Sequence, residues 1–120
     1  MIKDNYEYIL EKIDRIKKEN SIDYDIQVMA VSKTKPIEDI VEAISCGIKL
    51  FGENRVIEAH KKFTDQEIAK HNYELHIIGH LQRNKIKKAV EIASTVQSID
   101  KIETLDSIEK YAKAMDKKID

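Results

Sequence analysis

Apolar residues recur along the chain in two alternating rhythms, and that alternation predicts an α/β fold. From about Lys3 to Glu19, Tyr6, Ile9, Leu10, Ile13 and Ile16 fall at helical spacing among charged residues, which predicts an amphipathic helix. Gln27 to Ser32 is short and mostly apolar, the pattern of a buried strand. Pro36 then stands in the first turn of a helix, where proline is tolerated. Ile37, Ile40, Val41 and Ile44 supply that helix's stripe and Gly47 its stop. The rhythm repeats: a strand over 48–51, a helix from Val56 to about Lys70, a strand over 75–78, a helix over 84–93 and a strand over 95–99. Ile102, Leu105, Ile108, Tyr111, Ala112 and Met115 mark a last helix.

Strands with few polar residues, alternating with helices, imply right-handed crossovers and a parallel sheet covered by helices. The pattern is a leading helix followed by about four βα units, half of an eight-unit TIM-type (β/α) barrel whose usual length is ~250 residues. Such a half barrel has two unpaired strand edges and one incompletely covered sheet face, and free edges invite pairing with another chain. Three arrangements follow: part of a longer polypeptide, two copies that complete each other as a homodimer, or an open three-layered sheet.

At 120 residues, with 42% hydrophobic and 36% charged, the chain builds one modest core, so residues 1–120 are expected to form a single domain. With 21 basic and 22 acidic residues, nothing global draws it to nucleic acid or an anionic membrane. The one basic run, Arg83 to Lys88, has no interleaved aromatics to stack on bases and reads as a solvated helix face. No apolar stretch approaches the ~20 residues of a membrane span, and the amino terminus lacks the apolar region of a signal peptide. A lone cysteine, Cys46, excludes an internal disulfide and suits a reducing compartment, so a cytoplasmic location is expected. Beside Gly47, Cys46 is expected to be a small buried apolar residue.

In parallel α/β folds, chemistry gathers where strands end and the amino ends of the next helices begin. The expected strand ends are Ser32-Lys33-Thr34-Lys35, Gly52-Glu53-Asn54, Gly79-His80-Leu81-Gln82 and Ser98-Ile99-Asp100. A lysine at the outlet of a strand is either a solvated charge or an amine held to react with a carbonyl. The second role requires the amine unprotonated, against an ordinary pKa of ~10.4, through desolvation or a nearby cation such as Lys35. Gly52-Glu53-Asn54 reads as a turn with Asn54 capping the next helix, or else as a site where Asn54 donates a hydrogen bond to a ligand. His76 and His80 are four apart, but on a strand and its loop they need not converge, and no metal site is expected. No Ser/His/Asp order, Walker loop or dinucleotide glycine fingerprint is present.

"AVSKTKP" from Ala30, "FGENRVIEA" from Phe51, "HIIGHLQRNK" from His76 and "VQSID" from Val96, in this order and spacing, resemble the pyridoxal phosphate homeostasis proteins, also called the YggS or PROSC type. The resemblance runs from the leading helix to the last. It implies a fold like the amino-terminal barrel of alanine racemase and one pyridoxal 5'-phosphate (PLP), held as a Schiff base on Lys33 with Asn54 and His80 near it. It also implies a non-catalytic role in vitamin B6 homeostasis. Family members continue for about as many residues again, and their later strands carry the residues that grip the phosphate. This chain alone is therefore expected to bind PLP weakly or not at all. Two alternatives stand beside that expectation: a fragment of a PLP-dependent racemase-like enzyme, and a half-barrel dimerising module whose ligand site is vestigial.

Overall fold

The computed structural model describes residues 1–120. Helix α1 (Ile2–Glu19) precedes strand β1 (Ala30–Val31). There follow α2 (Ile37–Ser45), β2 (Leu50–Glu53), α3 (Val56–Phe63), α4 (Gln66–Ala69), β3 (Glu74–Ile77), α5 (Ile86–Ile92), β4 (Thr95–Val96) and α6 (Ile102–Ala114). A single 3-10 turn, Arg83–Lys85, leads into α5. The four strands form one parallel sheet in the order β1-β2-β3-β4, so the leading helix and four βα units are those that the alternation predicts.

Register explains how the two faces of this sheet differ. Ala30, Phe51 and Leu75 lie side by side across β1, β2 and β3. Phe51 and Leu75 are buried with Ile40, Ala43, Phe63 and Ile68 from the helices. Farther along the sheet, Ile77 and Val96 pack with Val56, Ala89, Val90 and Ile108. The alternate row of Val31, Gly52, His76 and Thr95 joins neither cluster, as the two-residue period of a strand requires. On that row Val31 is 48% exposed. Gly52 on the same row is buried, with Met29 and Ile78 lying over it, and His76 and Thr95 are half-buried, so this face is incompletely covered, as expected of half a barrel.

One edge of the sheet differs from expectation. The Val96 amide donates to the Asp120 carbonyl (2.9 Å) and the Asp120 amide donates to the Ser94 carbonyl (3.0 Å), so Asp120 lies along the outer edge of β4. Lys117 Nζ donates to the carbonyls of Val90 (2.6 Å) and Glu91 (3.1 Å), satisfying acceptors that the last turn of α5 leaves open.

Several boundaries shift for local reasons. The helix expected from Val56 to Lys70 is two helices, because Asp65 caps a new one, its carboxylate accepting the Glu67 amide at 2.9 Å. β2 lies two residues later than the run 48–51 that predicts it, since Glu53 belongs inside the strand. Pro36 takes the N-cap of α2 rather than its first turn. Cys46 caps α2 half-buried, not in the core. No helix is long and apolar enough to cross a membrane.

Candidate functional site

The outlet of β1 is a tight turn with every neighbour of Lys33 anchored. The Ser32 amide donates to the Gly52 carbonyl (3.1 Å), which carries pairing one residue past β1. The buried Ser32 hydroxyl donates to Glu53 Oε2. Thr34 has φ of +63°, a conformation uncommon for a β-branched residue and one that needs outside support. Its amide supplies part of that support by donating to both carboxylate oxygens of Glu58, at 3.0 and 3.1 Å. Its hydroxyl donates to the Lys33 carbonyl (2.6 Å), and the Lys35 amide donates back to the Ser32 carbonyl (3.1 Å).

Lys62, from α3, closes the arrangement. Its ammonium donates to the carbonyls of Ser32 (2.7 Å) and Lys35 (3.3 Å) and to Glu53 Oε2 (2.9 Å). Three donors thus meet three acceptors in a site closed to water, the condition under which a buried charge is tolerated. Lys33 itself is exposed, and its side chain makes no hydrogen bond or ion pair. This half of the fold gives its amine no shelter from water.

Asn54 and His80 meet at the neighbouring strand outlets. A Cβ built on Gly79 would lie 2.5 Å from the Asn54 carbonyl oxygen and 2.8 Å from its Cα, so only glycine lets these loops approach so closely. The Ser98 hydroxyl donates to the Gly79 carbonyl and ties the β4 outlet to the same place. Asn54 and His80 line one rim cavity of about 380 Å³ together with Arg55, Gln82 and Lys85. His80 also borders a second, of about 510 Å³, with Arg83, Asp100 and Lys101. Its Nδ1 stands 3.7 Å from the Asp100 carboxylate, both side chains being well exposed. The structure therefore brings Asn54 and His80 together, while Lys33, on the far side of β2, lines neither cavity.

Asn54 does not cap α3. Arg55 occupies that position and no side chain closes the cap. His76 and His80 have separate partners: His76 Nδ1 is 2.8 Å from Gln97 Nε2, and its Nε2 is 3.6 Å from the Glu74 carboxylate.

Sequence reasoning missed Glu53, Glu58 and Lys62. The signal for two of them lay in the pattern. Glu53 shares the helix-facing parity of Phe51, and Lys62 falls among Val56, Ala59 and Phe63 on the buried side of α3. Opposite charges at buried positions of consecutive elements mark an internal pair.

No protein-family model matches the chain. Among curated proteins it is 37% identical over 108 residues to the pyridoxal phosphate homeostasis protein of Haemophilus influenzae, covering 89% of this chain and 46% of that protein. It is 38% identical over 86 residues to the protein of the same name from Aquifex aeolicus, covering 72% and 37% respectively. Among solved structures it superposes on PipY of Synechococcus elongatus without PLP, at TM-score 0.73 and 32% identity, covering 88% of this chain and 49% of PipY. PipY with PLP bound gives a TM-score of 0.70 over 86% of this chain. The chain thus spans about half the length of the proteins it matches, and its sheet corresponds to the amino-terminal part of their barrel.

Proposed function

We propose, on the premise that the chain belongs to the pyridoxal phosphate homeostasis family through the amino-terminal half of its fold, that it supplies the amine-bearing half of a PLP-binding site. Lys33 is the residue assigned to the aldehyde. PLP would supply the aldehyde, and the amine of Lys33 would add to its carbon. A C=N bond forms as water leaves, and water returns to release both partners unchanged. Nothing further is consumed, so the cycle is reversible storage rather than turnover. The relatives' name as homeostasis proteins agrees with a binding role.

The observation that carries this reading is the β1 turn. Its backbone is fixed by Glu58 and Lys62, while the Lys33 side chain has no partner. Asn54 and His80, which share a rim cavity, are the side chains assigned to the border of the bound ring. The test adds PLP to the chain, reduces with borohydride and maps the modified peptide. Label concentrated on Lys33 supports the reading, and label scattered over surface lysines refutes it.

A second reading rests on the incompletely covered sheet face, where Val31 is half-exposed. A second copy closing that face makes the chain a dimerising module. A sedimentation mass of twice the monomer, with no capture of PLP, is the outcome that selects it.

A further inference from the structure

Glu58 and Lys62 lie one turn apart on α3, on the side that faces the β1 outlet. Between them they hold three backbone groups around Lys33, at Ser32, Thr34 and Lys35. Lys62 Nζ takes the carbonyl before it, at Ser32 (2.7 Å), and one after it, at Lys35 (3.3 Å). Glu58 takes the amide of Thr34 with both oxygens, and the two side chains approach each other to 3.9 Å. Buried Glu53 holds Lys62 from behind at 2.9 Å. We propose that Glu58 and Lys62 are positioning residues for Lys33, a two-point clamp from α3 that fixes where its amine is presented. The proposal rests on the assignment of Lys33 as the aldehyde-capturing lysine.

The physical case is one of preorganisation. A lysine has four side-chain torsions, so the volume swept by its amine is bounded only by where its Cα is held. With Thr34 in the left-handed region, the turn has a less crowded alternative whenever its anchors are lost. Relaxation of the backbone by about 1 Å can cost roughly a hundredfold in the rate of a positioned reaction. Lys35, two residues on and also exposed, is the competing amine, its own carbonyl being held by Lys62. An unclamped turn no longer distinguishes the two amines by position.

The experiment uses the chain as it is, with PLP as the probe and borohydride to fix the adduct. It compares Glu58→Ala, Glu58→Gln and Lys62→Met with the unaltered chain. Glu58→Ala and Lys62→Met are expected to lower the Lys33-to-Lys35 labelling ratio roughly tenfold or more. In Glu58→Ala, amide exchange at Thr34 and Lys35 is expected to quicken by a similar factor, with the amides of β2 and β3 unchanged; in Lys62→Met, which also strands Glu53, the amides of β2 are expected to quicken as well. Glu58→Gln, which keeps an acceptor for the Thr34 amide, is expected to fall between. Should Lys62→Met fail to fold, Glu58→Ala carries the test, since Glu58 is partly exposed. A folded Glu58→Ala chain with unchanged ratio and unchanged Thr34 exchange overturns the clamp. Absence of Lys33 label in the unaltered chain overturns the cofactor assignment instead, and with it the role of the clamp toward PLP. Exchange at Thr34 and Lys35 then decides whether the clamp itself exists.

Discussion

Lys62 Nζ lies 2.9 Å from Glu53 Oε2, and the two side chains are only 8% and 0% exposed. The pair joins β2 to α3 under the β1 outlet. Its second carboxylate oxygen, Oε1, has no hydrogen-bond partner, so the charge on Glu53 depends on Lys62 and the Ser32 hydroxyl. Removing one member strands the other as a lone buried charge.

Lys62→Met is therefore expected to cost about 3–5 kcal/mol, a large part of the stability of a domain this size. Replacing both members, as Glu53→Leu with Lys62→Met, is expected to cost less than the sum of the two single changes, because no lone charge remains buried. Urea unfolding midpoints of the three variants measure this directly. Additive losses would mean that the two side chains act independently, against the geometry.

Gly52 of β2 and Gly79 at the outlet of β3 are expected to differ in what an alanine costs. At Gly79 the added methyl meets the backbone of Asn54 at 2.5 Å, and backbone cannot step aside cheaply. At Gly52 it meets Met29 Sδ at 2.5 Å and Ile78 Cδ1 at 3.1 Å, side chains that can rotate away. Gly79→Ala is expected to lose about 1–3 kcal/mol and Gly52→Ala less. Denaturation midpoints give the ranking, and amide shifts at Asn54 should move only in Gly79→Ala.

The fold was legible in the sequence because its signal is periodic. Phe51 and Leu75 on strands, and Ile40, Ala59 and Ile68 on helices, repeat at the spacing their elements impose, and no long-range information is needed to see it. What the sequence hid depends on pairing across space. Glu53 reads as part of a turn, because a charged residue at a strand's end is ordinarily wet. Only Lys62, nine positions later, makes its burial tolerable. Asp120 on the edge of β4 was hidden for the same reason, since a backbone contact leaves no mark on residue type. Among the site residues, the proximity of Asn54 and His80 rests on Gly79. The glycine was visible, but the close approach it permits was not.

Lys33→Ala separates chemistry from folding. The side chain is exposed and bonded to nothing, so its loss is expected to change stability by no more than about 0.5 kcal/mol. The same change is expected to abolish site-selective capture of PLP, leaving only scattered label on other lysines. Thermal unfolding and peptide mapping on one preparation check both halves. A large loss of stability would show that Lys33 makes a structural contact.

Tyr73 makes the stability of the chain sensitive to alkaline pH. Its ring packs on Phe63 at 5.2 Å between centroids, and its hydroxyl donates to the Phe63 carbonyl at 3.2 Å. Burial raises the phenol above its ordinary value of 10.0, because the phenolate is poorly solvated there. The folded state then holds this proton more tightly than the unfolded one. The associated stability is fully present below pH 10.0 and is lost as pH rises through the folded value, with a slope of at most about 1.4 kcal/mol per pH unit. Tyr73→Phe has no such proton to lose. The unaltered chain is expected to exceed the variant by about 1 kcal/mol at neutral pH, the worth of one hydrogen bond, and the gap is expected to close only above pH 10. Unfolding of both chains across the alkaline range tests this. A gap that stays constant through that range would place the Tyr73 hydroxyl in water rather than against Phe63.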